Sequence, residues 1–405
     1  MNSNRSNKEN IEDVSSIGSQ LGPLVLLAGI FFLSFISRIM FAPLMPTIEH
    51  DLGIGHAEAG SLFLLISAGY FVSLLGAGFL SSRLTHRRTI VFSAISVGIT
   101  LIGVSLCHGA WSIRLGLFTL GLTAGTYLPS GIATLTSLIS SKDWGKGVAI
   151  HEFAPNLGFV AAPLISEALL TSFSWREILS FLGVASVVAG IAFGRFGKGG
   201  RFPGEAPSFS SFSVFLRMPA FWVMAVLFSL GISSSLGVYT MLPLYLVTER
   251  GMERDWANIL VALSRMSGLV MVFLAGWTAD RFGSKRTIGG VLLLTGVMTV
   301  LLGVVPDYWI VVIIFVQPML AVCFFPPGFA ALSAVSPQSS RNVVVSLTIP
   351  VAFLVGGGAI PTMIGIMGDA GSFGGGIAIA GGLILIGFIL SFYLKIPGSE
   401  QRGSH

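Results

Sequence analysis

The sequence predicts an all-α membrane protein of twelve transmembrane helices in two pseudo-symmetric six-helix halves, and three observations lead there. Hydrophobic residues make up 53% of the 405-residue chain and charged residues only 10%, where a soluble domain carries roughly 25% charge. The chain supplies twelve separate apolar runs long enough for a bilayer, each of the about 20 residues that a spanning helix needs. Finally, Gly78–Thr89 (GFLSSRLTHRRT) and Gly276–Thr287 (GWTADRFGSKRT) align with Gly, Arg, a basic pair and Thr in register, 198 positions apart. Each stretch is a basic hinge between two apolar runs, so the chain reads as a duplication.

Residues 1–21 are polar and rich in Ser and Asn, with no basic stretch leading a short apolar core and cleavage site. They predict a disordered cytoplasmic tail rather than a signal peptide. Six apolar runs follow, at 22–48, 57–81, 89–107, 111–139, 146–172 and 176–196, with the first basic hinge between the second and third. The stretch 197–218 is rich in Gly, Pro and Ser and is the one long connection, so it predicts a cytoplasmic linker between the halves 22–196 and 219–395. The second half runs through 219–248, 256–279, 287–305, 308–336, 341–367 and 372–395, and 396–405 forms a short tail. Tyr127-Leu128-Pro129-Ser130-Gly131 is echoed by Phe324-Phe325-Pro326-Pro327-Gly328, and Pro155 and Pro163 by Pro350 and Pro361. Because proline removes a backbone donor and kinks a helix, the halves are expected to bend alike.

The 51 glycines suit membrane helices, whose backbones approach through small residues. An outer-membrane barrel would instead show short segments of alternating polarity. With both termini inside, 17 of the 23 Lys and Arg fall on the cytoplasmic side, four outside (Arg114, Arg176, Arg250, Arg254) and two within helices. The positive-inside rule therefore orients the chain in a cytoplasmic membrane. The formal charge of +5 needs no nucleic acid, since the basic residues sit where anionic lipid headgroups meet them. Cys107 and Cys323 lie in or beside apolar helices and read as small packing residues. No nucleophile, metal-ligand cluster or phosphate-binding glycine loop stands out, so neither an enzyme nor a cofactor is expected.

GWTADRFGSKRT, placed between two helices of a twelve-helix chain, resembles the G-x-x-x-D-R-x-G-x-[RK]-[RK] pattern of the major facilitator superfamily, over about residues 22 to 395. The resemblance implies a secondary transporter, usually monomeric. It implies that Asp280, Arg281, Gly283, Lys285 and Arg286 help latch helix ends on the cytoplasmic side in the outward-open state. The first copy departs from the pattern: Ser82 replaces the Asp and Thr85 the Gly, leaving Arg83, Arg87 and Arg88. In that fold helices 1, 4, 7 and 10 line the cavity, with contributions from 2, 5, 8 and 11.

Two ionisable residues lie deep in apolar runs, where insertion costs roughly 2.5–3.5 kcal/mol and a cavity or partner is expected. Arg38 stands 11 residues before Glu49, and Arg265 stands 10 residues after Asp255, which at 1.5 Å per residue puts each about 15 Å below the outer surface. Two guanidiniums facing one cavity suit a carboxylate or inorganic oxyanion, since the planar fork binds two oxygens and stays charged. The alternative is structural neutralisation by a carboxylate or carbonyl. His151 and Glu152 in helix 5 are candidates for a coupling proton, though adjacent helical residues point about 100° apart. A plain cytoplasmic salt bridge is the other reading. Tyr70, Tyr127, Asn156, Tyr239 and Gln317 could complete a pocket, and Asn156 could instead cap a carbonyl freed by Pro155. Glu167 reads as a rim residue.

Ala154-Pro155-x-x-Gly158 partly resembles the Gly-Pro-x-x-Gly-Gly signature of drug/proton antiporters, but Phe159 stands where its last Gly is expected. Pro43-Leu44-Met45-Pro46 with Asp51-Leu52-Gly53 is similar to organic-anion members of the superfamily. The expected function is alternating-access transport of a small anion, coupled to a proton or to a counter-anion. The rivals are proton-coupled export of hydrophobic compounds and a transporter-like ligand sensor.

Overall fold

The computed structural model describes residues 20–140, 143–205, 219–335 and 341–394. Most of the predicted tails and of the linker lie outside the described residues. Twelve rods appear in order: α1 Leu21–Leu52, α2 His56–Leu84, α3 His86–Ser105, α4 as Ala110–Gly125 and Tyr127–Leu138, α5 Trp144–Leu170 and α6 Trp175–Phe196. The second set is α7 Pro219–Thr248, α8 Arg254–Phe282, α9 Ser284–Val304, α10 Asp307–Ala321 continuing to Val335, α11 Arg341–Leu354 continuing to Asp369, and α12 Phe373–Ser391. Eleven described stretches are long and apolar enough to cross a membrane. The exception is α4, which a turn at Thr126 divides.

Helix ends follow local chemistry. Gly53, with φ 61° and ψ 34°, closes α1 in the left-handed conformation that glycine adopts without Cβ strain. Ser174 and Glu177 form a reciprocal capping box at α6, and the Ser372 hydroxyl accepts from Gly375 N–H at α12. The interruptions lie mid-helix and repeat between halves: α4 breaks at Thr126 and α10 at Val322–Phe324, while α1 breaks at Met40 and α7 at the wide turn Ser233–Gly237. Thr126 and Phe324 are 198 positions apart, as are Met40 and Val238.

The duplicated hinges share backbone geometry. Thr85 has φ 81° and ψ 154°, and Gly283, 198 positions on, has φ 86° and ψ 146°. The Arg87 guanidinium donates to Gly194 O at 2.9 Å, and the Lys285 ammonium donates to Phe392 O at 2.8 Å, again with both partners displaced by 198. A threonine thus occupies a conformation open essentially to glycine. Neighbouring contacts hold it: His86 and Arg87 N–H donate to the carbonyls of Phe202 and Gly200, and Gly204 N–H donates to Ser81 O. The start of the predicted linker is therefore a strap laid over the first hinge. Thr85→Gly should raise stability by about 1–2 kcal/mol, the strain relieved less the entropy that glycine adds to the unfolded chain. A thermal midpoint in detergent at or below wild type would count against the strain.

Glycines set the close crossings. A Cβ on Gly98 would fall 2.4 Å from Gly183 O and one on Gly183 2.7 Å from Gly98 O, where α3 meets α6. The α9–α12 crossing repeats this with Gly303 and Gly374, at 2.1 and 2.3 Å. The expectation that the halves bend alike holds for α1, α4, α7 and α10 but not for α5 and α11. Despite Pro155 and Pro163, α5 stays continuous, whereas α11 opens into a wide turn at Val355–Ala359. Gly356-Gly357-Gly358 is the reason: without side chains this turn presses onto α7, where a Cβ on Gly356 would lie 2.4 Å from Ser229 O.

Between the halves, the principal contacts join α2 to α11, α5 to α8 and α1 to α7. They lie at mid-depth and toward the end away from the basic hinges. The basic-end pieces Tyr127–Leu138 of α4 and Phe325–Val335 of α10 pack within their own halves. The bundle is shut at the end opposite the basic loops.

Candidate functional site

The breaks in α1 and α7 place the two membrane arginines. Arg38, just before the Met40 turn, is 7% exposed, and its Nε donates to Ser34 O at 3.3 Å. Its guanidinium lies 4.1 Å over the Tyr70 ring of α2 and 5.5 Å from Phe35. Arg265 on α8 is 9% exposed and donates through Nη2 to Ser235 O at 2.9 Å, a carbonyl in the wide turn of α7. It sits 4.8 Å from both the Phe159 and Tyr239 rings. Phe35 and Phe159 stand edge to face at 5.0 Å and Phe159 and Tyr239 at 4.8 Å, so an aromatic layer with a guanidinium on either side joins the halves.

Among the described residues neither arginine forms a salt bridge. Each is met by a carbonyl, and the Arg265 Nε–H is buried with no acceptor. The free space beside Arg38, bounded by Phe63, Tyr70, Leu236, Thr240 and Phe353, is about 20 Å³ for water-sized centres, room for one or two waters.

The second constellation lies along α5 toward the basic end. His151 is fully buried and stacks on Phe31 at 4.2 Å. Tyr127 donates its hydroxyl proton to Leu27 O at 2.8 Å, so at 3.0 Å it must accept from His151 Nε2–H. His151 Nδ1 then faces Glu152 Oε1 at 3.3 Å. Two acceptors cannot bond without a proton, so a hydrogen bond here requires one on the ring or on the carboxyl. Adjacent helical positions do point apart, with the ring buried and the carboxylate half exposed. The length of the glutamate side chain restores the contact.

Other candidates are drawn elsewhere. Asn156 Nδ2 donates to Glu152 O at 2.9 Å, one carbonyl beyond the His151 carbonyl that Pro155 leaves free, because its side chain folds back along its own helix. Gln317 Nε2 donates to Ser234 O at 2.8 Å and Thr299 Oγ1 at 3.1 Å, supporting the wide turn of α7 from behind. Asp280, Arg281, Gly283, Arg286 and Arg83 are exposed at the basic end, where Asp280 makes no salt bridge among the described residues.

Sequence reasoning did not anticipate Phe35, Phe159 and Phe353 as the rings around the guanidiniums, nor the carbonyl of Ser235. The one signal was Phe159, large where a related signature has glycine.

The sequence profile of the Major Facilitator Superfamily matches residues 27–272 and 256–404. The chain belongs to that superfamily. It is a multi-pass membrane transporter, not an enzyme, and the solved structures agree in fold. A bacterial homolog to the human lysosomal transporter Spinster, in an inward-facing and occupied conformation, superposes with a TM-score of 0.81 at 15% identity, covering 94% of this chain and 97% of that one. Among relatives, a probable sulfoacetate transporter of Cupriavidus necator is 21% identical over 71% of each chain. A chloramphenicol resistance protein of Pseudomonas aeruginosa is 23% identical over 94% of this chain and 93% of its own.

Proposed function

We propose that this facilitator carries a small organic carboxylate or inorganic oxyanion across a cytoplasmic membrane by alternating access, as a monomer with both termini inside. The halves 22–196 and 219–395 rock about the layer between Arg38 and Arg265. The observation that carries the reading is two buried guanidiniums, one from each half, with carbonyl contacts but no carboxylate partner among the described residues. A buried cation without a counter-charge is costly, and an anion bonded to the unpaired Arg265 Nε–H, or to Arg38 across the aromatic layer, would supply it. The relative named for sulfoacetate supports the same substrate class.

The His151–Glu152 contact, which bonds only when one of the two carries a proton, supports proton coupling, with anion exchange as the alternative mode. In liposomes loaded with purified protein, an imposed pH gradient should drive accumulation of a labelled carboxylate. Glu152→Gln should abolish the response to the gradient while leaving exchange of internal for external carboxylate intact. Gradient-driven accumulation that survives in Glu152→Gln would remove Glu152 from coupling.

The relative named for chloramphenicol resistance favours a second reading, proton-coupled export of hydrophobic compounds. A thermal-shift panel separates the two, since a ligand of the folded state raises its stability with occupancy. Small carboxylates and oxyanions are expected to stabilise the protein and chloramphenicol to leave it unchanged. The reverse pattern would favour export.

A further inference from the structure

The shut end is sealed by two contacts at corresponding places in the halves. Where α8 meets α5, Arg254 Nε donates to Glu167 Oε1 at 3.2 Å, and Asn258 donates to the same carboxylate. Where α2 meets α11, Asp369 accepts the backbone N–H of His56 at 2.8 Å and of Ala57 at 3.0 Å. Glycines let these backbones close, since a Cβ on Gly60 would lie 2.6 Å from Pro361 O and one on Gly365 2.2 Å from His56 O. His56 and Arg254 are 198 positions apart. One copy of the seal thus carries a permanent cation at this position; in the other the backbone N–H of His56 makes the contact between the halves, and beside it lies an imidazole, a group whose charge changes between about pH 5 and 8.

His56 Nδ1 lies 2.9 and 3.0 Å from the two oxygens of Glu49, which is 8% exposed, and the ring rests 4.8 Å from Phe373. The other charges packed around this corner have partners of their own. Asp51 is held by Arg176 of α6, Glu58 by Arg114 of α4, Glu167 by Arg254 and Asp307 by Arg250. Glu249 accepts the backbone N–H of Phe373 and Gly374, and His50 is exposed. Among the described residues, Glu49 therefore has the His56 ring as its partner, and Asp369 the backbone N–H groups of His56 and Ala57.

We propose that Glu49, His56 and Asp369 form a proton-binding lock on this gate, loaded when the gate is shut and emptied when α2 parts from α11. Shut, the imidazolium bonds Glu49 and rests against Phe373, with the Asp369 carboxylate on the backbone N–H of the same residue. Once α11 withdraws, Asp369 and Phe373 leave with their half and Glu49 meets water, so the proton is held more weakly. By linkage, lowering the pH shuts the gate. Its role in coupling rests on the proton-driven form of the function proposed above; the lock itself is tested without substrate.

The test uses full-length protein in lipid nanodiscs, with Cys107→Ser and Cys323→Ser, and spin labels on Ser112→Cys and Tyr308→Cys, exposed positions on either side of the gate. Electron–electron distances are followed from about pH 8 to about pH 5. The shut-to-open ratio should rise roughly tenfold, the effect of a one-unit difference in proton affinity between the states. His56→Gln and Glu49→Gln should each hold the change below about twofold, and Asp369→Asn replaces either if it does not fold. A ratio that ignores pH in the parent protein, or a wild-type titration retained in the variants, overturns the lock. Failure of the parent to move any anion while the gate still titrates would count against the carrier reading and not against the lock.

Discussion

Uptake of a labelled small carboxylate into liposomes is expected to fall at least about thirtyfold in Arg265→Ala, since losing one member of a desolvated, hydrogen-bonded charge pair costs about 2–5 kcal/mol. Arg265→Lys should lose nearly as much. The guanidinium donates to Ser235 O through Nη2 and leaves Nε–H buried without an acceptor; an ammonium is a point charge without that fork. Folding should not suffer in parallel. Arg265 is a buried cation with no salt bridge among the described residues, so its removal relieves a desolvation cost that offsets the lost packing on Phe159 and Tyr239. A stable variant without transport is the expected signature. Undiminished uptake would remove Arg265 from the site, and an unfolded variant would give it a structural role instead.

The largest effect on folding is expected at the α2–α4 crossing. A Cβ on Gly69 would fall 2.0 Å from Phe118 O, and one on Gly121 2.0 Å from Ile66 O, so each glycine receives the other helix's backbone. No rotamer can relieve a clash with a carbonyl. Gly69→Leu must push the helices apart and should cost more than about 3 kcal/mol, beyond ordinary overpacking. Size-exclusion chromatography should show loss of the monodisperse species. Gly76→Leu, two turns along α2 where a Cβ meets nothing within 4 Å, should behave as wild type. Equal behaviour of the two variants would contradict the crossing.

The twelve helices and their duplication were legible because membrane insertion is decided by local composition: a run of apolar residues spans the bilayer whatever surrounds it. The paired hinges were legible because the basic residues that define them are also topology signals. Less was legible at the site. Arg38, Arg265 and the His151–Glu152 pair stood out as charges in apolar runs, and each proved buried or part-buried among specific partners. Phe35, Phe159 and Phe353 did not stand out, since in a chain with 31 phenylalanines no local signal separates a ring under a guanidinium from one facing lipid. Gln317 and Asn156 looked like pocket residues because polar side chains in membrane helices are conspicuous. The structure uses both to satisfy backbone carbonyls instead, a demand that arises only once helices break and pack. Glu167, read as a rim residue, became part of a seal because α8 brings Arg254 and Asn258 to it.

The sequence by itself determined the class, the duplication and the basic end, all of which follow from short-range hydrophobicity and charge. Only the tertiary structure decided which end is shut, that Thr85 takes the glycine conformation of its counterpart Gly283, and that two arginines more than two hundred residues apart flank one aromatic layer. The physical reason is that a bilayer sorts each segment separately, whereas a site is assembled by glycine crossings and helix breaks that bring distant segments within a few ångströms.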